Sequence, residues 1–146
     1  MLDPKSLIVP NREIHGVSAI LLPVMDGSVD WHGFEAHLER TFAAGLEPAV
    51  NMDTGYANLI DQVTRLEVLR RTQEIASGKD FVAGVFVSDD PDSKFDQTAY
   101  ASGMEEIESA GGKPILFQSY GLITQSDTEI VQSYQELSKH CDAFLF

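Results

Sequence analysis

Phe81-Val82-Ala83-Gly84-Val85-Phe86-Val87 carries neither a charge nor a polar side chain. A strand with one wet face alternates apolar and polar positions, whereas an unbroken apolar run belongs to a strand covered on both faces, as in a parallel sheet. Similar runs flank it on either side. Val17-Ser18-Ala19-Ile20-Leu21-Leu22 and Pro48-Ala49-Val50-Asn51-Met52 precede it, and Pro114-Ile115-Leu116-Phe117 and Ala143-Phe144-Leu145-Phe146 follow. Their starts at Val17, Pro48, Phe81, Pro114 and Ala143 are evenly spread, each separated from the next by roughly the length of one strand-and-helix unit.

Between these runs lie four amphipathic segments with helix punctuation. Asp30 caps the first, which puts Phe34, Leu38, Thr41 and Phe42 on one stripe and stops at Gly45. Asn58 or Asp61 opens the second, which is expected to bury Val63, Leu66 and Leu69 and to end by Gly78. Asp96 caps the third, with Tyr100, Met104 and Ile107 inward and Gly111-Gly112 as its stop. Ser126 and Glu129 stand at capping-box spacing before Ile130, Tyr134, Leu137 and Cys141, with Lys139 and His140 expected in the last turn. Polar caps satisfy the orphan amides of a first turn, and glycine accepts the left-handed exit.

Strand and helix thus recur about every 31.5 residues, and such alternation means a parallel sheet with right-handed crossovers. An open doubly wound sheet of five strands closes with a helix after the fifth, but the run Ala143–Phe146 has none after it. Eight units of this period need about 250 residues, the size of a (β/α)8 barrel. The α/β chain therefore reads as an N-terminal arm over 1–14 followed by a partial TIM barrel over 15–146, about its first five strands. An exposed parallel edge invites pairing, so a homo-oligomer is expected.

Composition narrows the function. Ten Lys and Arg stand against 23 Asp and Glu, giving a net charge of −13. The basic residues are scattered, with Arg70-Arg71 the only adjacent pair. Binding to a nucleic-acid backbone needs clustered cations, so that class is excluded. No apolar run approaches the roughly 18 residues of a membrane span. The start Met1-Leu2-Asp3-Pro4-Lys5 lacks a secretory layout, and a lone Cys141 suits a reducing compartment, so a cytoplasmic protein is expected. His15, His32, His37 and His140 form no ligand pair, and Asp89, Asp90 and Asp92 read as a solvated turn rather than a Mg²⁺ site. No nucleotide or phosphate fingerprint is present, so neither metal nor cofactor is expected.

In either architecture, ligands bind at the carboxyl ends of the strands. The second strand ends in Asp53-Thr54-Gly55-Tyr56 and the fourth in Gln118-Ser119-Tyr120-Gly121. A glycine at a strand-to-helix turn lets backbone amides approach an anion; Thr54 adds a hydroxyl and Asp53 a proton acceptor. The same residues also make an ordinary tight turn with a solvated carboxylate.

The stretch from Gly45 to Tyr56, followed by the helix bearing Arg65-Leu66-Glu67-Val68, resembles the second βα unit of the dihydrodipicolinate synthase/N-acetylneuraminate lyase family. Ala19-Ile20-Leu21-Leu22-Pro23 and Ser119-Tyr120 continue the resemblance from about His15 onward. The resemblance implies a lyase or aldolase that binds a small 2-oxo acid and forms a Schiff base. Thr54 and Gly55 match the residues that hold the substrate carboxylate, with Tyr56 where the family has Glu. Asp53 takes the place of a relay threonine, and Tyr120 matches a tyrosine that reaches the neighbouring subunit's relay. The family's imine-forming lysine lies on strand six. None of Lys5, Lys79, Lys94, Lys113 and Lys139 falls at a strand's carboxyl end, so a fragment inactive alone is expected.

The competing reading is a complete doubly wound domain that binds a small ligand, for instance receiver-like with Asp53 taking a phosphoryl group. It needs an acidic pair after the first strand, where only Asp26 stands, and a lysine after the fifth.

Overall fold

A computed structural model describes residues 10–11 and 14–141. The expected arm over 1–14 and the fifth strand over 143–146 lie mostly or wholly outside the described residues. After β1 (Val17–Ala19) comes a small hairpin of β2 (Val24–Met25) and β3 (Ser28–Val29). The main sheet continues from β1 through β4 (Glu47–Val50), β5 (Val82–Val85) and β6 (Lys113–Leu116). Each of these four begins within one residue of its expected start. Every pair is parallel, in the order β1-β4-β5-β6. The bonds Ile20 N–H to Ala49 O (2.8 Å) and Phe117 N–H to Val85 O (3.1 Å) carry the ladder past the strand ends.

This order decides between the two architectures. A receiver-like sheet winds both ways, so its first strand lies inside the sheet. Here β1 is at the edge of the described strands and each crossover steps the same way, as a barrel requires.

The helices α1 (Trp31–Ala43), α2 (Gln62–Ala76) and α3 (Gln97–Ser109) pack on one face of the sheet. Toward them turn Ile20, Val50, Phe81, Ala83, Val85 and Leu116, which form one buried cluster with Phe34, Leu38, Val68, Tyr100 and Met104. A Cβ at Gly103 would lie 2.7 Å from Val85 Cγ1, so the bare backbone lets α3 settle onto β5. The register puts Ala49, Val82, Gly84 and Ile115 on the opposite face, the wall of the barrel interior. After β6 come the short α4 (Tyr120–Ile123) and then α5 (Asp127–Leu137).

The caps form as the residues dictate. Asp30, Asp61 and Asp96 accept from Gly33, Thr64 and Ala99 amides at 3.0, 2.8 and 2.9 Å. Ser126 and Glu129 make the reciprocal capping box of α5. Two expectations are corrected. Val63 and Leu66 are 75% and 42% exposed, because α2 turns Val68, Leu69, Thr72 and Ala76 inward instead. Lys139 and His140 follow the C-cap Ser138 rather than lying in the last turn. The β2–β3 hairpin was not anticipated. Asp26 and Gly27, both at positive φ, close it in the conformation a two-residue Asp-Gly turn favours.

On the surface of α2, Glu67 accepts from Arg70 Nη2 (2.8 Å) and Arg71 Nε (2.6 Å), while Arg71 also pairs with Glu35 of α1 and lies 4.6 Å over the Trp31 ring. Hydrogen bonds from Arg70 and then Arg71 pull the Glu67 carboxyl from 4.5 to about 2. A depressed carboxylate stabilises the fold above its unfolded pKa and loses that contribution as pH falls through the folded one. Replacing Glu67 with Gln is therefore expected to flatten the decline in urea midpoint between pH 4.5 and about 2, with little change in its slope above pH 5. An acid limb identical to that of the unaltered chain would contradict this.

Candidate functional site

The carboxyl ends of β4, β5 and β6 carry two adjoining clefts. One, of about 130 Å³, is lined by Asp53, Ala57, Asn58, Phe86 and Phe117. The other, of about 350 Å³, is lined by Phe86, Val87, Ser88, Asp89, Gln118, Ser119, Tyr120 and Ile123. Phe86, at the end of the β5 run, is common to both. Asp53 and Tyr120 thus open onto neighbouring parts of one face, although they are distant in sequence.

After β4 the chain turns at once. Asn51 adopts a left-handed conformation (φ 51) and is buried; its Nδ2 donates to Arg65 O of α2 at 3.1 Å, while its Oδ1 finds no donor among the described residues. Asp53, Thr54 and Gly55 then form a 3₁₀ turn that ends at left-handed Tyr56 (φ 59). Gly55 is buried, with the Ile20 carbonyl 3.4 Å from where its Cβ would stand. Arg65 donates to the carbonyls of Ala57 (3.2 Å) and Ile60 (2.7 Å), pinning the segment that follows.

The amides of this turn are engaged. Thr54 N–H donates to Asp53 Oδ1 at 2.8 Å and Gly55 N–H to Met52 O at 2.9 Å. The Asp53 carboxylate therefore sits on the Thr54 donor that the family resemblance assigns to a substrate carboxylate. The Tyr56 ring is partly exposed.

Tyr120 opens α4, a single turn capped by the buried Ser119, whose Oγ accepts from Leu122 N–H at 3.3 Å. Its side chain is 47% exposed. Asp89 accepts from the Tyr120 amide (3.0 Å) and from the Gly121 amide (2.7 Å). Desolvation pushes the Asp89 carboxyl up, but the Gly121 and Tyr120 amides outweigh it and hold it below the usual aspartate value. Both its oxygens are thus taken by protein donors. Among the described residues no group of three or more His, Cys, Asp or Glu is placed to hold a metal ion, and no helix is long and apolar enough to cross a membrane.

Sequence reading picks out Asp53, Thr54, Gly55, Tyr56 and Tyr120 as a set at strand ends, but not Phe86 and Phe117 as the cleft's apolar walls. The available signal was their position at the ends of the third and fourth apolar runs, where a side chain on the interior face must border the strand-end region.

Parallel βα units wound one way, with clefts at their carboxyl ends, define part of a (β/α)8 barrel. Solved structures specify the kind of barrel. Dihydrodipicolinate synthase from Oceanobacillus iheyensis superposes with a TM-score of 0.69 at 19% identity over 88% of this chain and 42% of that one. The Thermotoga maritima dihydrodipicolinate synthase gives 0.66 at 20% identity, covering 88% and 42%. KD(P)GA from T. tenax gives 0.64 at 14%, covering 90% and 43%. The chain has the fold of part of a dihydrodipicolinate synthase-type barrel and spans about 43% of the length of such structures. No protein-family model and no curated protein matches it in sequence.

Proposed function

We propose that this chain supplies the strand-two and strand-four portion of a 2-oxo-acid site in a lyase or aldolase of the dihydrodipicolinate synthase type, acting through a Schiff base. The observation that supports it most is the pair of clefts sharing Phe86, one bordered by Asp53 and the other by Tyr120. In this reading the Thr54 hydroxyl and the Thr54 amide receive the substrate carboxylate, beside Gly55, whose own amide is held by Met52 O. Tyr120 passes a proton toward the substrate or toward a second subunit, so the working form is an oligomer.

Asp53 sets the affinity. Two unit charges about 4 Å apart repel by about 1 kcal/mol in water and by about 4 kcal/mol at an effective dielectric near 20. A substrate carboxylate must therefore displace the Asp53 oxygen from the Thr54 amide, and binding is weakened by that repulsion. Covalent capture needs a lysine amine at the carbonyl. Among the described residues Lys79, Lys94 and Lys139 lie outside the strands and Lys113 opens β6 at its amino end, so none is at a strand's carboxyl end.

The test uses pyruvate with cyanoborohydride and amide resonances of the labelled chain. The expected result is no covalent adduct by mass spectrometry, with pyruvate at about 10 mM shifting Thr54, Gly55 and Tyr120 resonances. Absence of any shift at these three, or shifts spread evenly over the surface, would remove the 2-oxo-acid reading.

A further inference from the structure

We infer that Asp89 is a positioning residue for Tyr120: its carboxylate ties the loop after β5 to the first turn of α4 and fixes where the phenol is presented. The inference rests on the reading of Tyr120 as a site residue.

A single helical turn cannot hold itself. Fixing its dihedrals costs more than its own hydrogen bonds return, and its first amides have no partner within it. Here those amides are Tyr120 and Gly121, and both are taken by one side chain from another loop, at 3.0 and 2.7 Å. A carboxylate spanning two successive amides makes charge-assisted bonds, roughly twice as strong as neutral ones. The contact is tertiary, because Asp89 precedes the amides it binds by 31 and 32 residues.

Two further contacts join the same loops. A Cβ on Gly121 would fall 2.4 Å from the Lys94 carbonyl carbon and oxygen and 2.7 Å from Phe95 N, so the backbones meet there with no room for a side chain. Upstream, the buried Tyr100 hydroxyl of α3 donates to Phe117 O (2.7 Å) and accepts from Ser119 N–H (2.9 Å). Residues 117–121 are thus held by Tyr100 at the start and by Asp89 at the end, with the Tyr120 ring emerging beside Asp89 and Ser119 in the larger cleft. The neighbouring Asp90 makes backbone bonds to Ser93 instead: its amide donates to Ser93 Oγ at 3.0 Å and its carbonyl accepts from Ser93 N–H at 2.9 Å.

Replacing tyrosine by 3-fluorotyrosine gives one fluorine line for each of the four tyrosines, Tyr56, Tyr100, Tyr120 and Tyr134, assigned through Tyr120→Phe. Asp89→Asn keeps the size and loses the charge and one acceptor. The expected result is a Tyr120 line moved toward the solvent-exposed position and amide exchange at Tyr120 and Gly121 faster by about tenfold. The Tyr56 line should stay in place, and Asp89→Glu should recover part of the change. An unmoved Tyr120 line with unchanged exchange overturns the inference, and so do all four lines moving together with a lowered Tm. Exchange in the unaltered chain gives a check that needs no variant: Tyr120 and Gly121 amides exchanging at the unprotected rate also overturn it. Pyruvate separates the two readings. If it leaves the Tyr120 line of the unaltered chain in place while Asp89→Asn moves it, the substrate reading fails and the positioning role stands.

Discussion

Gly84→Ala is expected to destabilise the chain by about 3 kcal/mol, at the upper end of what overpacking a core costs, and to lower Tm by about 10 °C for a domain of this size. One methyl group has this effect because of what it meets. A Cβ at position 84 would lie 2.2 Å from Asn51 O, 2.5 Å from Phe117 Cε2 and 3.1 Å from Asn51 C. The Phe117 ring can rotate away, but the carbonyl cannot. The parallel pairs Ala49↔Val82 and Val50↔Ala83 hold the end of β4, and Asn51 Nδ2 is bonded to Arg65 O. Relief must come from parting β4 and β5 at their carboxyl ends, where the Asp53–Gly55 turn begins. Urea unfolding measures the loss, and the Thr54 and Gly55 amide resonances should shift with it. A loss below about 1 kcal/mol would mean that the strand ends yield far more easily than this packing implies.

The features that can be read from the chain and those that cannot divide along physical lines. The apolar strand runs, the Asp30, Asp61 and Asp96 caps and the Ser126–Glu129 box depend on residues within a few positions of one another, so local sequence carries them. The inward face of α2 does not. Of the expected Val63, Leu66 and Leu69 only Leu69 is buried, and it shares the inward face with Val68, Thr72 and Ala76. Val63 and Leu66 are as apolar as Val68 and Leu69, so hydrophobicity alone cannot choose between them; the face that also carries small Thr72 and Ala76 packs toward β4 and α1. The site shows the same division. The Asp53–Tyr56 turn is contiguous and can be read, including the aspartate that distinguishes it. The bond from Asp89 to the start of α4 spans more than thirty residues, so nothing near Asp89 in sequence separates it from Asp90 or Asp92.

Tyr100 is the clearest case of a residue whose class is legible and whose task is not. Its spacing on α3 marks it as core, and it is fully buried and stacked on Phe95 with ring centroids 5.6 Å apart. Its hydroxyl joins α3 to the end of β6 through Phe117 O and Ser119 N–H. Tyr100→Phe keeps the ring and removes one oxygen, leaving a carbonyl and an amide without their partner. An unsatisfied buried polar group costs about 1–3 kcal/mol, so a loss of about 2–3 kcal/mol is expected at pH 7. Burial pushes the phenol above its ordinary value of 10, outweighing the Ser119 hydrogen bonds that favour ionisation. A group raised on folding lends its stability fully below its unfolded pKa and loses it as pH climbs through the folded one. The gap between Tyr100→Phe and the unaltered chain should therefore be constant from pH 7 to about 9 and narrow above pH 10, read from urea midpoints. A gap that persists unchanged at pH 11 would mean that burial does not hold the Tyr100 phenol above its unfolded value.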